Sequence, residues 1–333
     1  MKSFRSCRVL VLGLGSIGER HIINLLSIGV NDIAVLRRKI SKARTFDINL
    51  ITQFDNLDDA VSWKPEFLII CTPSNYHFED INFWSDYCKD ILVEVPLNSS
   101  SQGFDFIQKK ITKNKVNILI GHNIRFHPAL QCIKSIVKDQ SFGKLLFSRS
   151  EFGEYLPDCH PWEDYRQRYE ARSDLGGGVA LTSIHEIDHA VWLCGRVTHV
   201  SGVVRNLTLD IDCEDIALII LEHESGALSQ INLDFFQRKY MRSLKLAFEE
   251  GIIEWGFRTN SVQAFNTKKK NKNWHSLLNT KGYDFSQTYI DQMKLFLSRT
   301  YIKWNNFESG LHILKVVEAL KKSSSTGKRV SLK

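Results

Sequence analysis

The chain contains no Cys-x-x-Cys pair, no run of about 18 uninterrupted apolar residues, no repeat period and no low-complexity tract. Each absence removes a class of protein. Seven cysteines, odd in number and scattered, fit reduced thiols in a cytoplasmic protein rather than a disulfide framework or a zinc ribbon. Without a long apolar run, no membrane span is expected. The opening MKSFRSCRVLVLGLGSIG leads basic residues into an apolar stretch as a secretory leader does, but the stretch is short and breaks into glycines, so it reads as a strand and turn. Basic residues form no helical or aromatic-interleaved stripe. The densest cluster, TKKKNKNW at 267–274, reads as a solvated loop, and no nucleic-acid partner is expected.

What is present is the composition of a folded protein, with 43% hydrophobic and 24% charged residues. A chain of 333 residues exceeds what one core organises, and two domains, 1–124 and 125–333, are expected, with the last helix packing back on the first domain as the open alternative. The 44 Lys and Arg against 37 Asp and Glu leave a net charge of +7, a modest field that suits an anionic substrate or cofactor.

The segment CRVLVLGLGSIGERHIINLLSIG places an apolar run, Val9 to Leu12, before Gly13-x-Gly15-x-x-Gly18 and a helical pattern that stops at Gly29. Strand, glycine turn and helix in that order are the fingerprint of a dinucleotide cradle. Gly13 permits the tight turn, Gly15 lets backbone N–H groups approach a pyrophosphate at the helix N-terminus, and Gly18 lets helix and strand pack closely. Gly13, Gly15, Ser16, Ile17 and Gly18 are therefore candidate cofactor contacts. At the end of the next strand, DIAVLRRK, an acid would normally accept the ribose hydroxyls of NAD. Here Arg37 and Arg38 follow instead, and a guanidinium there pairs with a 2′-phosphate, so NADP is expected, with NAD as the alternative.

Strands and helices go on alternating through EFLIICTPSNYHFEDINFW, KDILVEVPLNSS and VNILIGHNIRFHPALQCIKSIV, the pattern of a doubly wound parallel sheet. A cofactor lies across the carboxyl ends of such strands, which nominates Thr72, Pro73, Asn75, His77, Glu94 and Val95. For His77, a helix-start residue without a ligand is an equal reading. After about residue 125 the pattern changes to consecutive strands with turns such as HESG and FEEG, followed by two amphipathic helices. That indicates an α+β domain built on a mostly antiparallel open sheet, with the helix after Gly178 packed on it.

The glycine turn, CTPSNYH, VEVP, NIRFHPAL, GGGVALTSIHEIDHAVWLCG and ALKKSSSTGKRVSL, in that order, resemble the Gfo/Idh/MocA family of nicotinamide-dependent oxidoreductases. The resemblance implies activity on sugars, nucleotide sugars or cyclitols. GEYLPDCHPWEDYRQRYEARSDLGGG is similar to members of surface-polysaccharide and amino-sugar biosynthesis. It also implies a homo-oligomer, dimer or tetramer, paired through the open sheet face. Two departures stand where the chemistry lies. The family's Glu-Lys-Pro is Glu94-Val95-Pro96, and its Asp-x-x-His aligns Thr182 with the aspartate and His185 with the histidine.

Oxidising an alcohol requires hydride removal from carbon, done by the cofactor, and proton removal from oxygen, done by the protein. Valine carries no proton. His185, with an ordinary pKa near 6.5, is the candidate base, and Thr182 can hydrogen-bond without supplying charge. Three readings stay open: an enzyme using His185, alone or with a tyrosine such as Tyr155, Tyr165 or Tyr169; a cofactor or sugar-nucleotide binder with little turnover; and other chemistry on the same scaffold.

HEIDH at 185–189 also matches the zinc-peptidase pattern H-E-x-x-H. A metzincin would continue with Gly at 192 and His at 195, where Trp192 and Gly195 stand, and no metal is expected. The polar, aromatic stretch from 151 to 175 reads as a substrate-recognition loop, with Tyr155, Trp162, Arg166 and Tyr169 as contacts. Arg125, in NIRFHPAL, and Asp188 complete the substrate candidates.

Overall fold

The computed structural model describes residues 4–37, 45–268, 273–300 and 305–332. In chain order the elements begin β1 (Arg8–Leu12), α1 (Ser16–Ser27), β2 (Asp32–Leu36), β3 (Thr52–Phe54), α2 (Leu57–Ser62), β4 (Phe67–Ile70), α3 (His77–Trp84), β5 (Asp90–Val93), α4 (Phe104–Asn114) and β6 (Asn117–Ile120). There follow α5 (Pro128–Asp139), β7 (Leu145–Tyr155), α6 (Leu156–Cys159), α7 (Val179–Thr182), α8 (His185–Cys194), β8 (Val197–Arg205), β9 (Ile216–His223), β10 (Leu228–Asp234), β11 (Phe236–Phe248), β12 (Gly251–Gly256), β13 (Ser261–Asn266) and β14 (His275–Asn279). The chain closes with α9 (Gln287–Leu297), α10 (Phe307–Thr326) and β15 (Val330–Ser331).

The first unit comprises residues 1–123 and 285–311. Its sheet runs β3-β2-β1-β4-β5-β6, and every pairing is parallel. Strand side chains alternate between two cores. Leu10, Leu68, Ile70, Ile91 and Ile120 meet Ile81, Trp84, Phe104 and Ile107 of α3 and α4 on one face. Val9, Val11, Ile33, Phe67 and Ile69 meet Ile22 and Leu25 of α1 on the other, joined by Met293 and Phe296 of α9. With both faces covered, the strands are continuously apolar, which is why their sequence shows runs rather than alternation.

The second unit comprises residues 124–284 and 312–333. Its sheet runs β14-β13-β12-β11-β7-β10-β9-β8-β15, antiparallel except for the parallel β7–β10 pair. The mostly antiparallel sheet expected from the consecutive strands is what forms, with one parallel pair as the exception. The exception arises because β7 takes β10 and β11 on its two sides.

Three expectations are revised. The boundary expected at 124/125 lies at 123/124, and the segment 285–311, expected in the second domain, belongs to the first. The last helix has its first residues in the first unit and the rest in the second. The single helix expected after Gly178 is two, α7 and α8, parted at Ser183, whose backbone (φ −102°, ψ 36°) leaves the helical region. The apolar spacing nonetheless holds across the break: Leu181, Ile184, Ile187 and Cys194 are buried and Val191 half-buried.

Candidate functional site

In the first unit the strand order reverses between β1 and β4, the position where a parallel sheet opens a crevice at its carboxyl end. The glycine turn follows β1 there. Gly13 has φ +91°, a region L side chains rarely enter, and a Cβ on it would lie 2.9 Å from the Cys71 carbonyl oxygen at the end of β4. A Cβ on Gly18 would lie 2.3 Å from the Gly13 carbonyl oxygen, so helix and turn touch through this glycine. A Cβ on Gly15, by contrast, would meet nothing within 4 Å. Gly15 caps α1, and no side chain caps the helix, which leaves first-turn N–H groups and the positive helix end facing open space beside exposed Ser16 and half-buried Ile17. These residues fit the pyrophosphate of a dinucleotide.

At the end of β2 the Arg37 backbone N–H donates to the Phe54 carbonyl, 3.1 Å, and its guanidinium donates to the Gln53 side chain of β3. Arg38 lies outside the described residues. Past β4, the Thr72 hydroxyl donates to Asp80 of α3, 2.6 Å, and Pro73 leads into a short 3₁₀ turn, Ser74–Tyr76, that leaves Asn75 half-buried at the crevice rim.

His77 and Glu94, both nominated for the cofactor, have other tasks. His77 is 1% exposed, its Nδ1 3.0 Å from the Pro96 carbonyl oxygen and its Nε2 2.8 Å from that of Thr72. Burial lowers its proton affinity, so the neutral ring donates to one carbonyl and ties the ends of β4 and β5 together. Glu94 is 8% exposed, with Oε1 2.6 Å from Nε2 of the fully buried His21 on α1. A Cβ at Gly121 would lie 2.7 Å from Glu94 Oε2, so the carboxylate is boxed in by β6 as well. Val95, the neighbour, is half-buried. Sequence reasoning missed His21 because nothing in GERHIINLL separates a buried histidine from a wet one.

In the second unit the glycine run serves packing. Gly178 has φ +101°, and a Cβ there would lie 2.5 Å from the Glu214 carboxylate; one at Gly177 would lie 2.5 Å from the Tyr169 carbonyl oxygen. The space beside the run is filled by protein. Thr182 donates its hydroxyl proton to the Gly178 carbonyl, 2.9 Å, so towards a substrate it retains only acceptor capacity.

Each residue of HEIDH has a separate setting on α8. His185, at the first turn, is half-buried. Glu186, 1% exposed, accepts 2.7 Å from Nε of Arg242 on β11, and burial raises its carboxyl above the usual range against the pull of that arginine. Ile187 is core. Asp188, 0% exposed, takes a bidentate guanidinium from Arg125, Nε lying 2.8 and 3.1 Å from its two oxygens. His189 is buried, and burial holds it neutral well below the ordinary imidazole range. Arg125 and Asp188, nominated for substrate, are thus turned toward each other and anchor α8. A peptidase would need Glu186 as its base, and Arg242 occupies it. Among the described residues no three His, Cys, Asp or Glu side chains are grouped to hold a metal. Arg242 gave no local signal, being one of four cations within a strand pattern.

The stretch after β7 is a string of short helical turns whose arginines pair with acids close by. Arg166 Nε holds Asp164 at 2.9 Å, Arg168 holds Glu170, and Arg172 Nε holds Asp174 at 2.9 Å. Local pairing reduces the reach of these guanidinia toward a ligand, Arg166 included. Trp162 is 70% exposed beside the His160 ring, while Tyr155 and Tyr169 are half-buried. Among the described residues no helix is long and apolar enough to cross a membrane.

Comparison with known proteins agrees with this layout. A model described as oxidoreductase family, NAD-binding Rossmann fold, matches residues 7–122, and one described as GFO/IDH/MocA C-terminal domain matches residues 130–254. The chain is 23% identical over 232 residues, 68% of its length and 72% of the other's, to a 4-carboxy-2-hydroxymuconate-6-semialdehyde dehydrogenase of Sphingobium sp.. It is 27% identical over 239 residues, 67% of its length and 66% of the other's, to a scyllo-inositol 2-dehydrogenase (NAD(+)) of Bacillus subtilis. The chain therefore spans about two thirds to three quarters of these relatives. Levoglucosan dehydrogenase in complex with NADH and L-sorbose shares the fold at TM-score 0.86 and 14% identity, over 98% of this chain and 99% of that one. The WlbA dehydrogenase of Bordetella pertussis in complex with NADH and UDP-GlcNAcA does so at 0.77 and 19%, over 99% of both chains. An open glycine cradle at a sheet switch point, followed by the matching C-terminal domain in the same order, places the chain in the Gfo/Idh/MocA family of NAD(P)-dependent oxidoreductases.

Proposed function

We propose that the protein interconverts a hydroxyl and a carbonyl on a sugar or nucleotide sugar, with NADP as the preferred cofactor. The observation that carries the reading is the uncapped start of α1 with open space over Gly15, a ready anion cradle on a parallel sheet. When bound there, the nicotinamide cofactor supplies or accepts the hydride. His185 takes or returns the hydroxyl proton, and Thr182 accepts a hydrogen bond from substrate. The sugar class is supported by relatives named for inositol, apiose and levoglucosan, and by one solved with UDP-GlcNAcA. The cofactor preference rests on Arg37 at the end of β2, where the fold uses an acid for NAD. A fluorescence titration is expected to show NADPH binding about tenfold more tightly than NADH, the worth of roughly one charge-assisted hydrogen-bond pair. Equal or tighter NADH binding removes the preference and leaves the rest standing.

A second reading, a cofactor or sugar-nucleotide binder with little turnover, is favoured by Val95 and by the Thr182 hydroxyl already donated to Gly178. Saturable NADPH binding with no turnover across a broad panel of sugars and nucleotide sugars selects it.

The second sheet supports a reading of the assembly state. Val203, Leu218, Ile220 and Leu228 are 41, 48, 52 and 47% exposed, on β8, β9 and β10. Val203 pairs with Leu218, and the alternation puts Ala217, Ile219 and Leu221 on the opposite, buried side. A contiguous apolar patch of this kind on a sheet is an association surface, and a dimer or tetramer is proposed. Light scattering is expected to give at least a dimer for the native chain and a monomer for the Leu218→Lys, Ile220→Lys variant. A native monomer at micromolar concentration overturns this.

A further inference from the structure

Strand β11 carries a row of cations and rings that the site above leaves unexplained. Arg242, Tyr240 and Arg238 stand at spacing two along it, in a stretch whose pairing with β7 shifts register between Phe236 and Met241. Arg242 holds Glu186 of α8 and lies 4.7 Å from the Phe152 ring centroid; Tyr240 meets the same ring edge-on at 5.7 Å. Arg238 lies over the Tyr155 ring, 3.7 Å from its centroid. Exposure rises along the row, from 6% at Arg242 to 40% at Tyr240 and an exposed Arg238. The row begins at the helix that carries His185 and ends in solvent.

Arg238 differs from its neighbours in the second unit. Arg166, Arg168 and Arg172 each hold an acid two residues away, Arg242 holds Glu186, and Arg125 holds Asp188. The Arg238 guanidinium makes no hydrogen bond or ion pair to any described residue; its partner is the Tyr155 face. Stacking fixes the plane of a guanidinium and leaves its in-plane N–H donors unspent, the state in which arginine forks onto a carboxylate or phosphate.

We infer that Arg238, backed by Tyr155, binds an oxyanion carried by the substrate beyond its reacting ring: the diphosphate of a nucleotide sugar or the carboxylate of a sugar acid. The inference rests on the sugar-oxidoreductase reading above. Four residues of extended chain separate Arg238 from Arg242, up to about 13 Å at about 3.3 Å per residue. With the register shift in this stretch the separation is at most that, a span that a sugar carrying a further group past its ring can bridge from α8 to Arg238. The three arginines of the preceding loop, the more obvious anion binders from sequence, are held by acids, and the role passes to the strand.

The test uses the full chain saturated with NADP, titrated calorimetrically with UDP and with glucuronate as separate probes. Arg238→Gln is expected to weaken at least one probe by about tenfold or more, Arg238→Lys to recover part of that loss because charge returns without the fork, and Tyr155→Leu to weaken the same probe by removing the platform. A loss confined to UDP identifies a phosphate, and one confined to glucuronate a carboxylate. NADPH affinity, measured in parallel, reports whether each variant is folded and whether the cofactor reading stands. If NADPH binds all variants normally while both probes bind native protein and Arg238→Gln equally, or bind neither, the Arg238 assignment fails and the oxidoreductase reading survives. If NADPH fails to bind the native chain, the failure belongs to the cofactor reading.

Discussion

Replacing His185 with alanine is expected to lower kcat by about 10²- to 10⁴-fold while leaving NADPH affinity unchanged, the usual worth of one general acid–base group. The loss should be large because Val95, Thr182 and His189 offer no substitute. Val95 has no proton to exchange. Thr182 has spent its hydroxyl proton on the Gly178 carbonyl. His189, four residues along the same helix, is 2% exposed and held neutral by burial. His185→Gln, which keeps a hydrogen-bonding side chain without a titrating one, should fall nearly as far. Steady-state kinetics on whichever sugar or nucleotide sugar is turned over decide the matter: unchanged kcat in the alanine variant removes His185 from the chemistry even though the family assignment remains.

The largest effect on stability is expected from Asp188→Ala. Its partner Arg125 is 1% exposed, and removing the carboxylate strands a guanidinium in the interior, at a cost of about 3–5 kcal/mol. The Arg125 guanidinium also lies 5.4 Å from the Trp192 ring centroid, so the Trp192 share of the fluorescence reports on this pair during urea unfolding. Combining Asp188→Ala with Arg125→Met, which removes both charges, should restore most of the loss, since an apolar pair of similar volume often equals a buried ion pair. A single-variant loss below about 1 kcal/mol means that water reaches this pair and that α8 is anchored elsewhere. Catalysis and stability separate cleanly in this helix: residue 185 should affect turnover with little change in unfolding, and residue 188 the reverse.

What the sequence disclosed follows from how far apart the interacting residues stand in the chain. The cradle from Gly13 to Gly18 is a local object, six residues whose order alone constrains a turn, and it was legible. So were the parallel strands, whose apolar runs record burial on both faces. The pairs Arg125–Asp188, Arg242–Glu186 and His21–Glu94 join residues 63, 56 and 73 positions apart, and no local pattern announces them. For that reason Arg125, Asp188 and Glu94 were nominated as ligand contacts: a polar residue near a motif looks the same whether its partner is a substrate or another side chain. The arginine-rich loop is the opposite case, because its acids stand at spacing two in the sequence and each guanidinium pairs with one of them. The break at Ser183 escaped notice because the apolar spacing continues through it.

The return of α9 to the first sheet has a consequence for how the protein is made. Met293, Phe296 and Leu297 are 0, 1 and 5% exposed within the core that also holds Val9, Phe67 and Ile69. Burial of three such side chains contributes roughly 1.5–3 kcal/mol each. During translation the ribosome emits all of β1 to β6 and then the strands through β14 before this helix appears. The amino-terminal sheet must wait, one flank unsealed, while more than 150 further residues emerge, so a recombinant fragment stopping at Asn123 would present that same unsealed flank permanently.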